Sequence, residues 1–203
     1  MKIFISGVSG TGKTTLAKYI SQRFRIPFVE GSSKVLWEKH KIDCHLDIVR
    51  RSILTPKWGI EFQEELLAYR KELIVGLDSF VTDRSPLDNM VYFLLQNAPY
   101  VNTDDTEVYF NDCIETYPDY YTQIFLDFNS EDNMIWERDG IRIDNIPYQD
   151  MVNTIFMYII NTRPIQNVKL INQWNWERRV SIVEDLIKQE PNLWYEIRRM
   201  FGQ

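Results

Sequence analysis

The stretch Gly7-Val8-Ser9-Gly10-Thr11-Gly12-Lys13-Thr14 constrains the fold of this chain more than any other. It satisfies every fixed position of Gly-x-x-x-x-Gly-Lys-[Ser/Thr], a phosphate-cradling loop that requires a strand before it and a helix after it. Both flanks are present. Lys2-Ile3-Phe4-Ile5-Ser6 is a short apolar, β-branched run that reads as a buried strand. Lys13–Phe24 sets Leu16, Ile20 and Phe24 four apart with Ala17 beside them, the spacing of an amphipathic helix. Glycines allow positive φ and a close approach of backbone N–H groups to a ligand. A helix beginning near Lys13 adds its unpaired N–H groups and the positive end of its dipole. Lys13 would reach the β- and γ-phosphates as a point charge, and the Thr14 hydroxyl would take a Mg²⁺ position. The expected nucleotide-binding set is Gly7, Gly10, Thr11, Gly12, Lys13, Thr14 and Thr15, with ATP and Mg²⁺ as ligands.

Four more short apolar runs follow, at residues 25–30, 79–83, 123–127 and 167–171, and each reads as a strand. Helices are expected between them. Residues 32–41 place Val35, Leu36 and Trp37 inward, and 43–54 lead to a stop and restart at Thr55-Pro56. The pattern Phe62, Leu66, Tyr69, Leu73, Leu77 makes 58–77 one long helix. Pro86 suits the first turn of a helix through Met90, Val91, Leu94 and Leu95. Further helices are expected over 106–117, 147–161 (with Met151, Val152, Ile155, Phe156, Ile159 and Ile160 on one face), 177–189 and 192–201. Strands alternating with helices mean an α/β fold: a five-stranded parallel sheet covered on both faces. The 203 residues are enough for one domain with a small lid at about 130–147. Ligands of such sheets sit beyond the carboxyl ends of the strands, which here carry Gly7, Glu30, Asp83 and Asp127.

Composition narrows the partners. A net charge of −6 repels nucleic acid and anionic membranes in the global field, although a phosphate site needs only a few local arginines. Cys44 and Cys113 stand apart with no Cys-x-x-Cys, as reduced structural thiols do. His40, Cys44 and His45 lack a second cluster to complete a metal site. Met1 leads straight into the first strand, and no apolar run approaches the roughly 18 residues of a membrane span, so a cytoplasmic protein is expected.

Asp83 ends an apolar strand, where an acid can hold Mg²⁺ directly or through water. Asp83-Arg84-Ser85-Pro86-Leu87-Asp88 sets an anion beside a cation at that strand end, either for a metal and a phosphate or as a local ion pair capping the helix. Arg138 and Arg142, four apart around Asp139-Gly140, would project from one side of a helical lid and neutralise a transferring phosphoryl group, unless they are two solvated helix residues.

The loop, the Asp83-Arg84-Ser85 strand end and the Arg138…Arg142 segment, in that order, resemble the nucleoside and nucleotide kinases. The likeness is to deoxynucleoside kinases, thymidylate kinases and nicotinamide-riboside-kinase-like P-loop proteins of bacteria and phages. In the last group Asp-Arg-x-Pro-Leu-Asp and a later Asp-Gly-x-Arg recur, matching Asp83–Asp88 and Asp139–Arg142. The resemblance implies the strand order 2-3-1-4-5 and a kinase transferring the γ-phosphoryl group of ATP to a nucleoside or (deoxy)nucleoside monophosphate. It implies Glu30 as the base that takes the acceptor's proton, Gln63 as a reader of the nucleobase edge, and Arg84 as a phosphate contact. Capping for Glu30 and plain surface exposure for Gln63 are the structural alternatives. Trp37 and Trp58 would stack on a base or belong to the core. Gly-Ser-Ser-Lys after Glu30, where deoxynucleoside kinases have Glu-Pro-x, and Asp83 where many have Glu, leave Glu30 and Asp83 both open as the base. A DNA acceptor (a polynucleotide end or a hydroxymethylated base), a nucleotide-gated non-enzymatic module and a homodimer also stay open.

Overall fold

The computed structural model describes residues 1–128 and 145–189. Among the described residues thirteen elements follow one another: β1 (Lys2–Gly7), α1 (Lys13–Phe24), β2 (Phe28–Val29), α2 (Lys34–His40), α3 (His45–Leu54), α4 (Pro56–Ile74), β3 (Phe80–Thr82), α5 (Pro86–Asn97), α6 (Thr103–Glu115), β4 (Thr122–Leu126), α7 (Ile146–Thr162), β5 (Val168–Ile171) and α8 (Trp176–Gln189). The strands form one sheet in the expected order β2-β3-β1-β4-β5, and all four pairings are parallel. β1 is central: Phe4 lies opposite Thr82 of β3, and Gly7 opposite Leu126 of β4.

Alternation along the strands sorts the core into two faces. Ile3 and Ile5 of β1 and Ile124 and Leu126 of β4 pack with Leu16 and Ile20 of α1 and Val183 and Ile187 of α8. Phe125, one residue out of phase, packs instead with Met90 and Phe93 of α5 and Val152 and Phe156 of α7. Each fully buried Phe contributes about 1.5–3 kcal/mol of transfer free energy. A third cluster lies off the sheet, where Leu36 and Trp37 of α2, Ile48 of α3 and Phe62 and Leu66 of α4 pack together with Ile42. That satellite core builds the wall of the pocket described below.

Several expectations shift. Val35 points outward, 54% exposed, because the turn of α2 that buries Leu36 and Trp37 leaves its neighbour on the opposite side. Met151 is likewise 47% exposed; α7 buries Gln149, Val152, Phe156 and Ile159, a true three-four stripe. β2 shrinks to two residues because Arg25, at φ 54°, caps α1, and Ile26 N–H returns to the Ser21 carbonyl at 3.2 Å. Leu77 falls beyond the end of α4. The expected helix over 192–201 lies outside the described residues. Among the described residues no helix is long and apolar enough to cross a membrane.

Candidate functional site

The loop between β1 and α1 has the backbone its glycines were read to supply. Gly10 and Gly12 both sit at φ 83°, and Gly7 at φ 146° has the Leu126 carbonyl oxygen 2.6 Å from where a Cβ would stand. Gly12 is the N-cap of α1 and offers no side-chain cap, so the first-turn N–H groups face the loop unmet by a capping oxygen. Lys13 is buried and donates from Nζ to the Val8 carbonyl at 2.7 Å, while Thr11 Oγ1 donates to the same carbonyl at 2.9 Å. Thr14 and Thr15 are exposed at the start of the helix.

Asp83 follows β3 directly and is buried beside this loop. The Thr14 hydroxyl donates to its Oδ2 at 2.5 Å, and the Gly31 backbone N–H donates to its Oδ1 at 3.0 Å. Asp83 and Arg84 are neighbours in sequence but do not pair. Arg84 Nη1 instead donates to Asp88 Oδ1 at 2.9 Å, a local ion pair with the acid whose other oxygen caps α5. Burial works against the Arg84 charge, but Asp88 and then Tyr92 outweigh it and hold the guanidinium pKa above its ordinary value. The expected pairing of anion and cation at the strand end thus becomes two separate links, one to the loop and one into α5.

Glu30 is exposed just past β2, with no partner among the described residues. Gly31 beside it is tightly held. Its N–H meets Asp83, its carbonyl accepts from Arg70 Nε at 3.0 Å, and a Cβ there would fall 2.6 Å from Arg84 Cβ. Arg70 also donates from Nη1 to Asn89 Oδ1 at 2.5 Å. Burial pushes its pKa down to about 10, which still leaves it a cation at neutral pH.

Arg70, Arg84, Asp88, Asn89, Gln63 and Gln96 form the polar lining of a pocket enclosing about 390 Å³, its open mouth included. Its apolar and aromatic walls include Trp37, Ile48, Phe62, Leu66 and Tyr92. His45, also in the wall, stacks on Tyr92 with ring centroids 5.9 Å apart and meets Trp37 edge-on at 5.0 Å. Gln63 is 1% exposed, so the surface reading of this residue fails. Its Nε2 donates to Gln96 Oε1, its Oε1 has no partner among the described residues, and its backbone carbonyl accepts from Tyr109 at 3.0 Å. Trp37 belongs to both the core and the pocket wall. Trp58 stacks on Phe62 at 5.3 Å, a layer behind the pocket. Asp127 accepts from Asn153 Nδ2 at 2.9 Å, which ties β4 to α7 rather than to the loop. Arg138 and Arg142 lie outside the described residues.

Sequence reasoning missed five residues. Arg70 stands two helical turns after Gln63 on the same face of α4, a spacing that could have exposed it. Asn89, Tyr92 and Gln96 repeat at three and four on α5, again a legible stripe. Arg179 had no local signal. It reaches from α8 to donate Nη1 to the Thr11 carbonyl at 2.7 Å and Nε to the Gln173 carbonyl at 2.6 Å.

The sequence model of the AAA domain matches residues 2–179. The chain belongs to the AAA-domain family. Among curated proteins, none matches it. Solved structures share the fold of this AAA-domain protein. Deoxyadenosine kinase from M. mycoides with bound dCTP superposes at TM-score 0.58 and 13% identity, covering 91% of this chain and 97% of the other. Thymidylate kinase from Candida albicans superposes at 0.57 and 14%, covering 94% and 92%. NadR protein in complex with NR superposes at 0.60 and 18%, covering 92% of this chain and 50% of that one. The AAA-domain chain therefore has the five-stranded parallel architecture of P-loop nucleoside and nucleotide kinases.

As for a metal, the described residues contain no group of three or more His, Cys, Asp or Glu side chains able to hold one. The Thr14 hydroxyl and the Asp83 carboxylate, in contact at 2.5 Å beside the loop, are hard oxygen donors of the kind that complete a Mg²⁺ shell shared with phosphates.

Proposed function

We propose that this protein is a P-loop kinase that moves the γ-phosphoryl group of ATP to a hydroxyl of a nucleoside or to a phosphate oxygen of a (deoxy)nucleoside monophosphate. The observation that carries the reading is the Gly31 link: through Asp83 it touches the phosphate loop, and through Arg70 it touches the pocket lined by Gln63, Arg84 and Trp37. ATP phosphates would lie in the Gly7–Thr14 loop against Lys13. Thr14 and Asp83 would hold Mg²⁺, whose charge neutralises the β- and γ-oxygens.

The acceptor would lie between Gln63, Arg70 and Arg84 with Trp37 along its side. Gln63 presents an amide able to read a base edge. Glu30, exposed and unpartnered among the described residues, takes the acceptor hydroxyl proton. The acceptor oxygen then bonds to Pγ as the bond from Pγ to the β,γ-bridging oxygen breaks, and ADP leaves. Asp83 has both oxygens engaged by Thr14 and Gly31, which favours a holding role over that of base. We also propose that residues 1–203 act as one kinase domain and that Arg138 and Arg142 serve as a lid over the transferring group.

Incubation with ATP, Mg²⁺ and a panel of nucleosides and monophosphates should yield phosphorylated acceptor. ADP release with no acceptor phosphorylated overturns the reading. A DNA acceptor is the second reading, and the net charge of −6 and the aromatic walls of the pocket disfavour it. DNA binding that collapses between low and moderate salt would restore it.

A further inference from the structure

Asp88 is a wholly buried carboxylate, with 0% of its side chain exposed. As the acid of the capping box that starts α5 it needs only the Ser85 N–H, which it takes at 3.0 Å. It does more than cap. Its other oxygen, Oδ1, accepts from Arg84, whose side chain remains 22% exposed at the pocket. Its Oδ2 also accepts from Ser6 Oγ at 2.5 Å. Ser6 is the penultimate residue of β1, next to the Gly7 at which the phosphate-loop pattern starts. A helix cap has no need of a serine from the central strand.

We propose that Asp88 is a positioning residue that fixes the Arg84 guanidinium against the acceptor pocket and, through Ser6, at a set distance from the phosphate loop. The link is rigid because its members are bonded to one another. Ser6 Oγ accepts from Gln123 Nε2 at 3.1 Å, and Gln123 Oε1 accepts from Tyr117 at 2.9 Å. A buried polar network with its members paired in this way holds one geometry. An arginine on a long flexible stem has no such constraint unless an anion supplies it. Burying that anion without its cation would be strongly unfavourable, so Asp88 and Arg84 are retained as a unit.

The role rests on the phosphoryl-transfer reading above, and the test separates the two. Ser6→Ala and Asp88→Asn are each made in the full chain and in an Arg84→Met background. Transfer kinetics, equilibrium binding of an ATP analogue and Nε–Hε NMR relaxation of Arg84 are measured. Each variant should lower kcat/KM for the acceptor by about ten- to a hundredfold, leave ATP-analogue affinity within about twofold and set the Arg84 signal in motion. On the Arg84→Met background neither should cost more than about twofold, because a residue acting through Arg84 has nothing left to act on. Equal losses on both backgrounds, or an Arg84 signal as rigid as in the wild type, overturn the proposal. Should Asp88→Asn fail to fold by circular dichroism, Ser6→Ala, which deletes one hydroxyl, carries the same comparison. If wild-type protein phosphorylates no acceptor, the functional reading falls, and Arg84 relaxation alone decides the positioning role.

Discussion

Two acids at neighbouring strand ends have different surroundings, and under the proposed function those surroundings separate their roles. Asp83 is buried and accepts from Thr14 and Gly31, whereas Glu30 is exposed and unpartnered among the described residues. A base must have an oxygen free for a proton; a metal-side acid must be fixed. Glu30→Gln should lower kcat by about 10²–10⁴-fold with ATP-analogue affinity kept. Asp83→Asn should instead shift the Mg²⁺ titration of ATP-analogue binding to higher concentration. Paired kinetic and binding measurements check both, and a Glu30→Gln enzyme at full rate would move the base elsewhere. The loop residues and Asp83 were legible in the sequence because their spacing is imposed by backbone chemistry. The partner of Arg84 was not, since Asp83 and Asp88 are both acids within reach and only the turn into α5 decides between them.

Helix faces were legible wherever the apolar period was clean, as in α1 and α4, and less so in short α2, where one turn of ambiguity put Val35 on the wrong side. What periodicity hides is how close two helices come. Gly59 of α4 is such a case. A Cβ there would meet Ser52 Oγ of α3 at 2.5 Å and Ser52 Cβ at 2.8 Å, and would run into Asn97 Oδ1 of α5. A mid-helix glycine costs about 0.8–1 kcal/mol relative to alanine in an isolated helix, and close packing of three helices offsets that here. Gly59→Ala should therefore destabilise by about 1–3 kcal/mol despite the better helix propensity. It should also raise the acceptor KM, because α3 carries the His45 and Ile48 walls of the pocket. Thermal unfolding and acceptor kinetics check the two effects. A rise in Tm would show that the junction has room to spare.

Across the whole molecule, the alternation of strands and helices made the covered parallel sheet legible, and the strand order came with the kinase resemblance. Contacts between distant segments did not follow, because nothing in a local pattern records them. Arg179 is the clearest example: it joins the last described helix to the loop that follows the first strand. Its guanidinium also lies over the Trp174 indole, 5.2 Å from the ring centroid. Indole emission responds to a nearby charge, and this charge is hydrogen-bonded to the phosphate loop itself. Under the proposed function, Trp174 would report nucleotide occupancy of the loop through Arg179. Titration with ATP and Mg²⁺ should change tryptophan fluorescence saturably, and Trp174→Phe should remove most of that change while the other five tryptophans of the six stay in place. An unaltered response in Trp174→Phe would show that the signal arises elsewhere.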